Sequence, residues 1–153
     1  MNSHRNSDTK FVLAGTLVVF GLILISVQSN TETNTDSLNN TLPKMTARER
    51  LLVEAVNRLA PSLPLELDEF TTLVDVFSNE QILSYSYEVS FLKEEIDYDF
   101  FVTEMTPSLL NTICTNEAMK GLNAIGTKYD YIYSSSDKIL IGSIRIDPDD
   151  CVE

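Results

Sequence analysis

Residues 82–91 read ILSYSYEVSF, and within them Leu83, Tyr85, Tyr87, Val89 and Phe91 alternate with Ser84, Ser86, Glu88 and Ser90. Successive side chains of a strand point to opposite faces, so a period of two predicts a strand with one face on a core and the other in water. Residues 70–77 have the same strand character and are separated from it by Ser78-Asn79-Glu80, which predicts a hairpin. The pattern returns later in the chain. Tyr129, Tyr131 and Tyr133 alternate on one strand, Ser134-Ser135-Ser136-Asp137 reads as a turn, and residues 138–146 return as the partner strand. Tyr85, Tyr87, Tyr129, Tyr131 and Tyr133 form a candidate binding face. The same alternation also serves core and sheet-edge packing, with the phenol oxygens reaching a wet rim.

Helical spacing fills the gaps between these strands. Thr46-Ala47-Arg48-Glu49 has the form of a capping box, and Leu51, Leu52, Ala55, Val56 and Leu59 then recur on one face until Pro61 and Pro64 stop the run. Residues 97–111 place Phe101, Met105, Leu109 and Ile113 at helical intervals, with Pro107 expected near a helix start or at a kink. Residues 116–125 form a second short helical piece closed by Gly126. The predicted order is α-β-β-α-β-β. It corresponds to an α+β sandwich of two layers, with an antiparallel four-stranded sheet and its helices on one face.

Ahead of this unit, residues 11–27 read FVLAGTLVVFGLILISV and hold no charge. At about 1.5 Å per residue they make a helix of roughly 25 Å, near the lower limit for a membrane span and longer than the usual signal-peptide core. Length favours an uncleaved anchor; Val27-Gln28-Ser29 also satisfies a signal-peptidase site, with cleavage after Ser29. His4, Arg5 and Lys10 precede the segment and Lys44 is the first base after it, so the positive-inside rule leaves residues 1–10 as a cytoplasmic tail. Residues 28–44 are polar and read as a flexible linker, and residues 45–153 are the exported domain. The expected topology is single-pass, with the N-terminus in the cytoplasm and the domain exported.

The chain of 153 residues holds 11 basic and 23 acidic side chains, a net charge of -12. Such a surface repels nucleic acid phosphates. The one histidine, His4, falls on the cytoplasmic side, so the exported domain lacks an imidazole for general-base or zinc chemistry. Two acidic clusters remain, Glu94-Glu95-Ile96-Asp97-Tyr98-Asp99 and Asp147-Pro148-Asp149-Asp150. The first lacks the glycine and terminal glutamate of a calcium loop and the second contains Pro148, and both read as solvated loops. No catalytic residue, metal site or cofactor is expected, and no enzyme activity. In an exported chain Cys114 and Cys151 are expected to form a disulfide.

The stretch CTNEAMKGLNAIGTKYDYIY from Cys114, closing at Cys151 in IRIDPDDC, resembles the C-terminal half of the small periplasmic pilotins of type II secretion systems. Asn57 and Leu63-Pro64 also stand where that family has an Asn and a Leu-Pro, so the likeness covers residues 57–151. It implies the same fold and the same cysteine bridge. One feature departs: pilotins carry lipid on an N-terminal cysteine, and this chain has no cysteine near the end of its apolar run. The resemblance implies a location in the inner membrane, single-pass, with the domain in the periplasm of a Gram-negative bacterium, and the expected function is a membrane-anchored, non-enzymatic periplasmic domain that binds a protein partner of the cell envelope. The alternative is an inhibitor or immunity factor acting on an envelope enzyme or toxin.

Overall fold

A computed structural model describes residues 45–151; the expected tail (1–10), anchor (11–27) and linker (28–44) lie outside them, as do the last two residues. Helix α1 (Ala47–Leu59) begins as its capping box dictates: Thr46 Oγ1 accepts from the Glu49 N–H at 3.1 Å, and Glu49 Oε2 accepts from the Thr46 N–H at 2.6 Å. A short helical turn, Ala60–Ser62, leads into β1 (Leu65–Glu66). Strands β2 (Thr71–Asn79) and β3 (Ile82–Val89) form the first hairpin. Its turn is Glu80-Gln81 rather than residues 78–80, so β2 runs two residues past the expected end.

Helix α2 (Tyr98–Thr115) starts where Asp97 accepts from the Phe100 N–H at 3.1 Å, and it continues through Pro107 instead of starting or breaking there. The proline removes one amide donor, so the Thr103 carbonyl loses its helical partner without ending the helix. After a turn at Glu117–Met119 comes α3 (Lys120–Ala124). Gly126, at φ 70°, closes it in the left-handed region, with its N–H on the Asn123 carbonyl at 2.8 Å. Strands β4 (Lys128–Ser134) and β5 (Leu140–Ile146) form the second hairpin.

Two expectations for the sheet are corrected. It has five strands rather than four, in the order β1-β2-β3-β4-β5, because Leu65 and Glu66 pair with Leu73 and Thr72. It is also mixed rather than antiparallel, since β3 and β4 run parallel. The cause is the crossover. An 18-residue helix spans about 27 Å at 1.5 Å per residue, close to the 26 Å or so of an eight-residue strand, so α2 returns the chain to the end where β3 began. The strand that follows then enters alongside β3 in the same sense.

The apolar faces of the helices share one core with the inner side chains of the sheet. Leu52, Ala55 and Leu59 of α1, Leu109 and Ile113 of α2 and Leu122 of α3 meet Leu73, Val76, Leu83, Val89, Ile144 and Ile146 there. Among the described residues no helix is long and apolar enough to cross a membrane.

Candidate interaction surfaces

The five tyrosines stand at the centre of this core, none more than 9% exposed. Parallel pairing of β3 with β4 aligns Tyr85 with Tyr131 and Tyr87 with Tyr133, and the rings stack across the strands at centroid distances of 5.4 and 5.1 Å. Phe101 of α2 closes the ladder edge-on against Tyr133 at 4.9 Å. Tyr129 donates to Asn123 Oδ1 at 2.6 Å while Asn123 Nδ2 donates to the Ile113 carbonyl at 2.9 Å, so one phenol ties β4 to both α3 and α2. Tyr133 Oη is buried without a partner among the described residues. Burial pushes the pKa of all five phenols well above the ordinary tyrosine value. A partner contacting these rings would meet the helices first.

The cysteine pair is brought together. Cys114, near the end of α2, is bonded to Cys151, just beyond the turn Pro148–Asp150 that follows β5, with the Cα atoms 5.5 Å apart. The bridge pins the far end of the crossover helix to the last strand and so holds α2 on the sheet.

Both acidic clusters have local work to do. Asp97 caps α2, and Glu95 Oε2 accepts from the Leu92 N–H at 2.7 Å, which holds the turn ahead of it. Asp147 accepts from the Asp149 N–H at 3.1 Å and pairs with Lys128 of β4. The Lys128 ammonium is the main reason the Asp147 carboxyl lies below its usual pKa, and the same hydrogen bond raises Lys128.

The exposed rim divides into a covered edge and a bare one. On β5 the Ile141 carbonyl accepts from Lys93 Nζ at 3.1 Å and the Ser143 carbonyl from Tyr98 Oη at 3.3 Å, with the Tyr98 ring packed against Gly142. Side chains at and just before the start of α2 thus cap the outer hydrogen-bonding groups of that strand. At the other edge, β1 pairs only with Thr72 and Leu73 of the nine-residue β2. The stretch from Asp75 to Asn79 has no outer strand among the described residues. An open depression of about 230 Å³ lies beside the end of it, between α1 and β2, lined by Met45, Glu49, Leu52 and Val53 on one side and Ser78, Asn79 and Glu80 on the other. Sequence reasoning missed this edge because it missed β1, whose two residues show no period of their own.

No family model matches the sequence, and no curated protein is similar to it in sequence. Solved structures are similar in fold. The type II secretion system pilotin AspS of Vibrio cholerae superposes with a TM-score of 0.54 at 13% identity, over 68% of this chain and 92% of that one. The pilotin EpsS of the Vibrio vulnificus type 2 secretion system gives 0.55 at 18% identity, over 69% of this chain and 96% of that one. A candidate secreted protein of Pseudomonas aeruginosa gives 0.56 at 13% identity, over 65% and 88%. The resemblance to pilotins is therefore shown at the level of fold.

Proposed function

We propose that this chain is a protein-interaction domain of the cell envelope with a secretion-related role, held at the inner membrane by residues 11–27 and facing the periplasm. The observation that carries the reading is the fold of this chain, a disulfide-pinned, helix-covered five-stranded sheet, which is similar to that of two pilotins at TM-scores of 0.54 and 0.55. The absence of any histidine after His4 supports a binding rather than a catalytic role. An anchor in place of a lipid alters what such a domain does. A pilotin-like unit fixed in the inner membrane does not travel outward with its partner, so it acts where it stands, as a local clamp or receptor.

The test is affinity capture from solubilised envelope on the full, oxidised chain, with Cys114→Ser/Cys151→Ser as control and mass spectrometry as readout. Recovery of a secretin or another secretion component with the oxidised chain alone is the expected result. Recovery of a hydrolase or toxin whose activity the chain suppresses would replace this reading with that of an inhibitor.

A further inference from the structure

Strand β2 leaves part of its outer edge bare, and the register says which groups it offers. Asn79 and Ile82 close a two-residue turn, and counting back along the ladder makes Asn79, Phe77 and Asp75 the residues bonded to β3. The N–H and C=O groups of Val76 and Ser78 therefore point outward. Val76 bears this out locally, since its N–H is met at 2.9 Å by the carboxylate of the preceding Asp75 and by no strand among the described residues. The bare stretch lies beside the depression against α1, whose apolar wall is Met45, Leu52 and Val53, and Phe77 is 41% exposed on the opposite face of the strand.

The charge around this edge is mainly acidic. Between Arg58 and Lys93 the chain holds six carboxylates and no Lys or Arg. Asp75 and Glu80 stand on the edge and its turn, Glu49 on the facing helix. Arg48, a base of the neighbouring helix turn, is directed to Gln81 Oε1 at 3.4 Å.

We infer that the β2 edge from Asp75 to Asn79 accepts an extended, basic segment of a partner protein as an added strand. This rests on the protein-interaction reading and names its site. An incoming carbonyl takes over the Val76 N–H, and the displaced Asp75 carboxylate turns to a cation of the segment. With every second side chain on one face, the apolar ones of the segment reach the α1 depression while its cations lie on the face of Phe77 and Asp75, which matches the period of two of an added strand.

The probe is a short synthetic peptide of alternating Lys and Val, with the Glu-Val peptide as its counterpart, added to the full chain in detergent. Binding of the Lys-Val peptide alone, with the amides of Val76 and Ser78 becoming protected from hydrogen exchange, is the expected result. Ser78→Pro removes an outward donor where an edge strand tolerates proline, and weakens binding about tenfold while circular dichroism is retained. Asp75→Lys/Glu80→Lys reverses the preference between the two peptides, which covers the case in which the proline variant does not fold. Equal binding of both peptides, protection elsewhere on the chain, or protection of Val76 that grows with protein concentration in the absence of peptide would each overturn the inference. Capture of the same envelope partner by the wild type and by folded Ser78→Pro overturns the edge site and leaves the interaction reading standing. Peptide binding at the edge without any envelope partner does the reverse.

Discussion

Alkaline pH should unfold this domain in a single steep step, because five of its six tyrosines are core residues. Burial holds Tyr85, Tyr87, Tyr129, Tyr131 and Tyr133 neutral in the folded chain, with pKa values well above that of an exposed phenol. The unfolded chain ionises them at about 10. The folded pKa is the raised one, so the stabilisation is whole below pH 10 or so and is lost as pH rises from there toward the folded values. At about pH 11 each phenol shifts the balance by roughly 1.4 kcal/mol, and five together by about 7 kcal/mol, comparable with the 5–15 kcal/mol that holds a typical domain folded. The net charge of -12 acts in the same direction. Tyrosinate absorbance and far-ultraviolet circular dichroism, followed together on the oxidised chain, should therefore change at the same pH within about one and a half units of pH 10. In Tyr85→Phe the pH slope should fall by about one fifth. A gradual titration of most phenols centred near pH 10 with circular dichroism intact would refute the reasoning, since it would mean that the rings reach water in the folded state.

Three further outcomes are expected. Cys114→Ser/Cys151→Ser opens a loop with a sequence separation of 37 and should lower unfolding stability by about 4 kcal/mol, read from the denaturant midpoint; an unchanged midpoint would mean that the bridge does not constrain the chain. Gly142→Ala places a methyl 2.1 Å from Tyr98 Cε2 and should cost about 1–3 kcal/mol, a penalty that shrinks in a Tyr98→Ala background; an equal penalty in both backgrounds would show that the ring is not the obstacle. Glu80 sits at φ 52° in the hairpin turn, so Glu80→Gly should raise the melting temperature by an amount equivalent to roughly 0.5 kcal/mol, and a fall would contradict the assigned backbone.

Elements that carry their own local signal were legible in the sequence. The capping box at Thr46 and Glu49, the alternation of residues 82–91, the closing glycine at 126 and the cysteine pair each state a local geometry that tertiary contacts then accept. Strand β1 carries no such signal. Two residues cannot show a period, and Leu65 and Glu66 are a strand only because Leu73 and Thr72 lie beside them. The placement of the tyrosines was half legible, since alternation says that one face is apolar without saying whether helices or a partner cover it. The choice between the two belongs to α2 and the bridge at its end, which hold Phe101 against Tyr133.

The sense of β4 has a similar origin, and it bears on where a partner can bind. Two hairpins joined by a helix read equally well as antiparallel or mixed until the helix is measured against the strand. At 18 residues α2 is long enough to return the chain along the whole of β3, which makes β3 and β4 a parallel, buried central pair. With the centre of the sheet committed to that crossover, hydrogen-bonding capacity is left only at the outer strands. Lys93 and Tyr98 occupy it on β5, at the very start of the same crossover. On β2 the short β1 stops after two residues, and among the described residues it is the Asp75 carboxylate that meets the outward amide of Val76. The asymmetry follows from the path of the chain: the crossover that closes one edge cannot reach the other, so the acidic hairpin edge is where this fold stays open to an added strand.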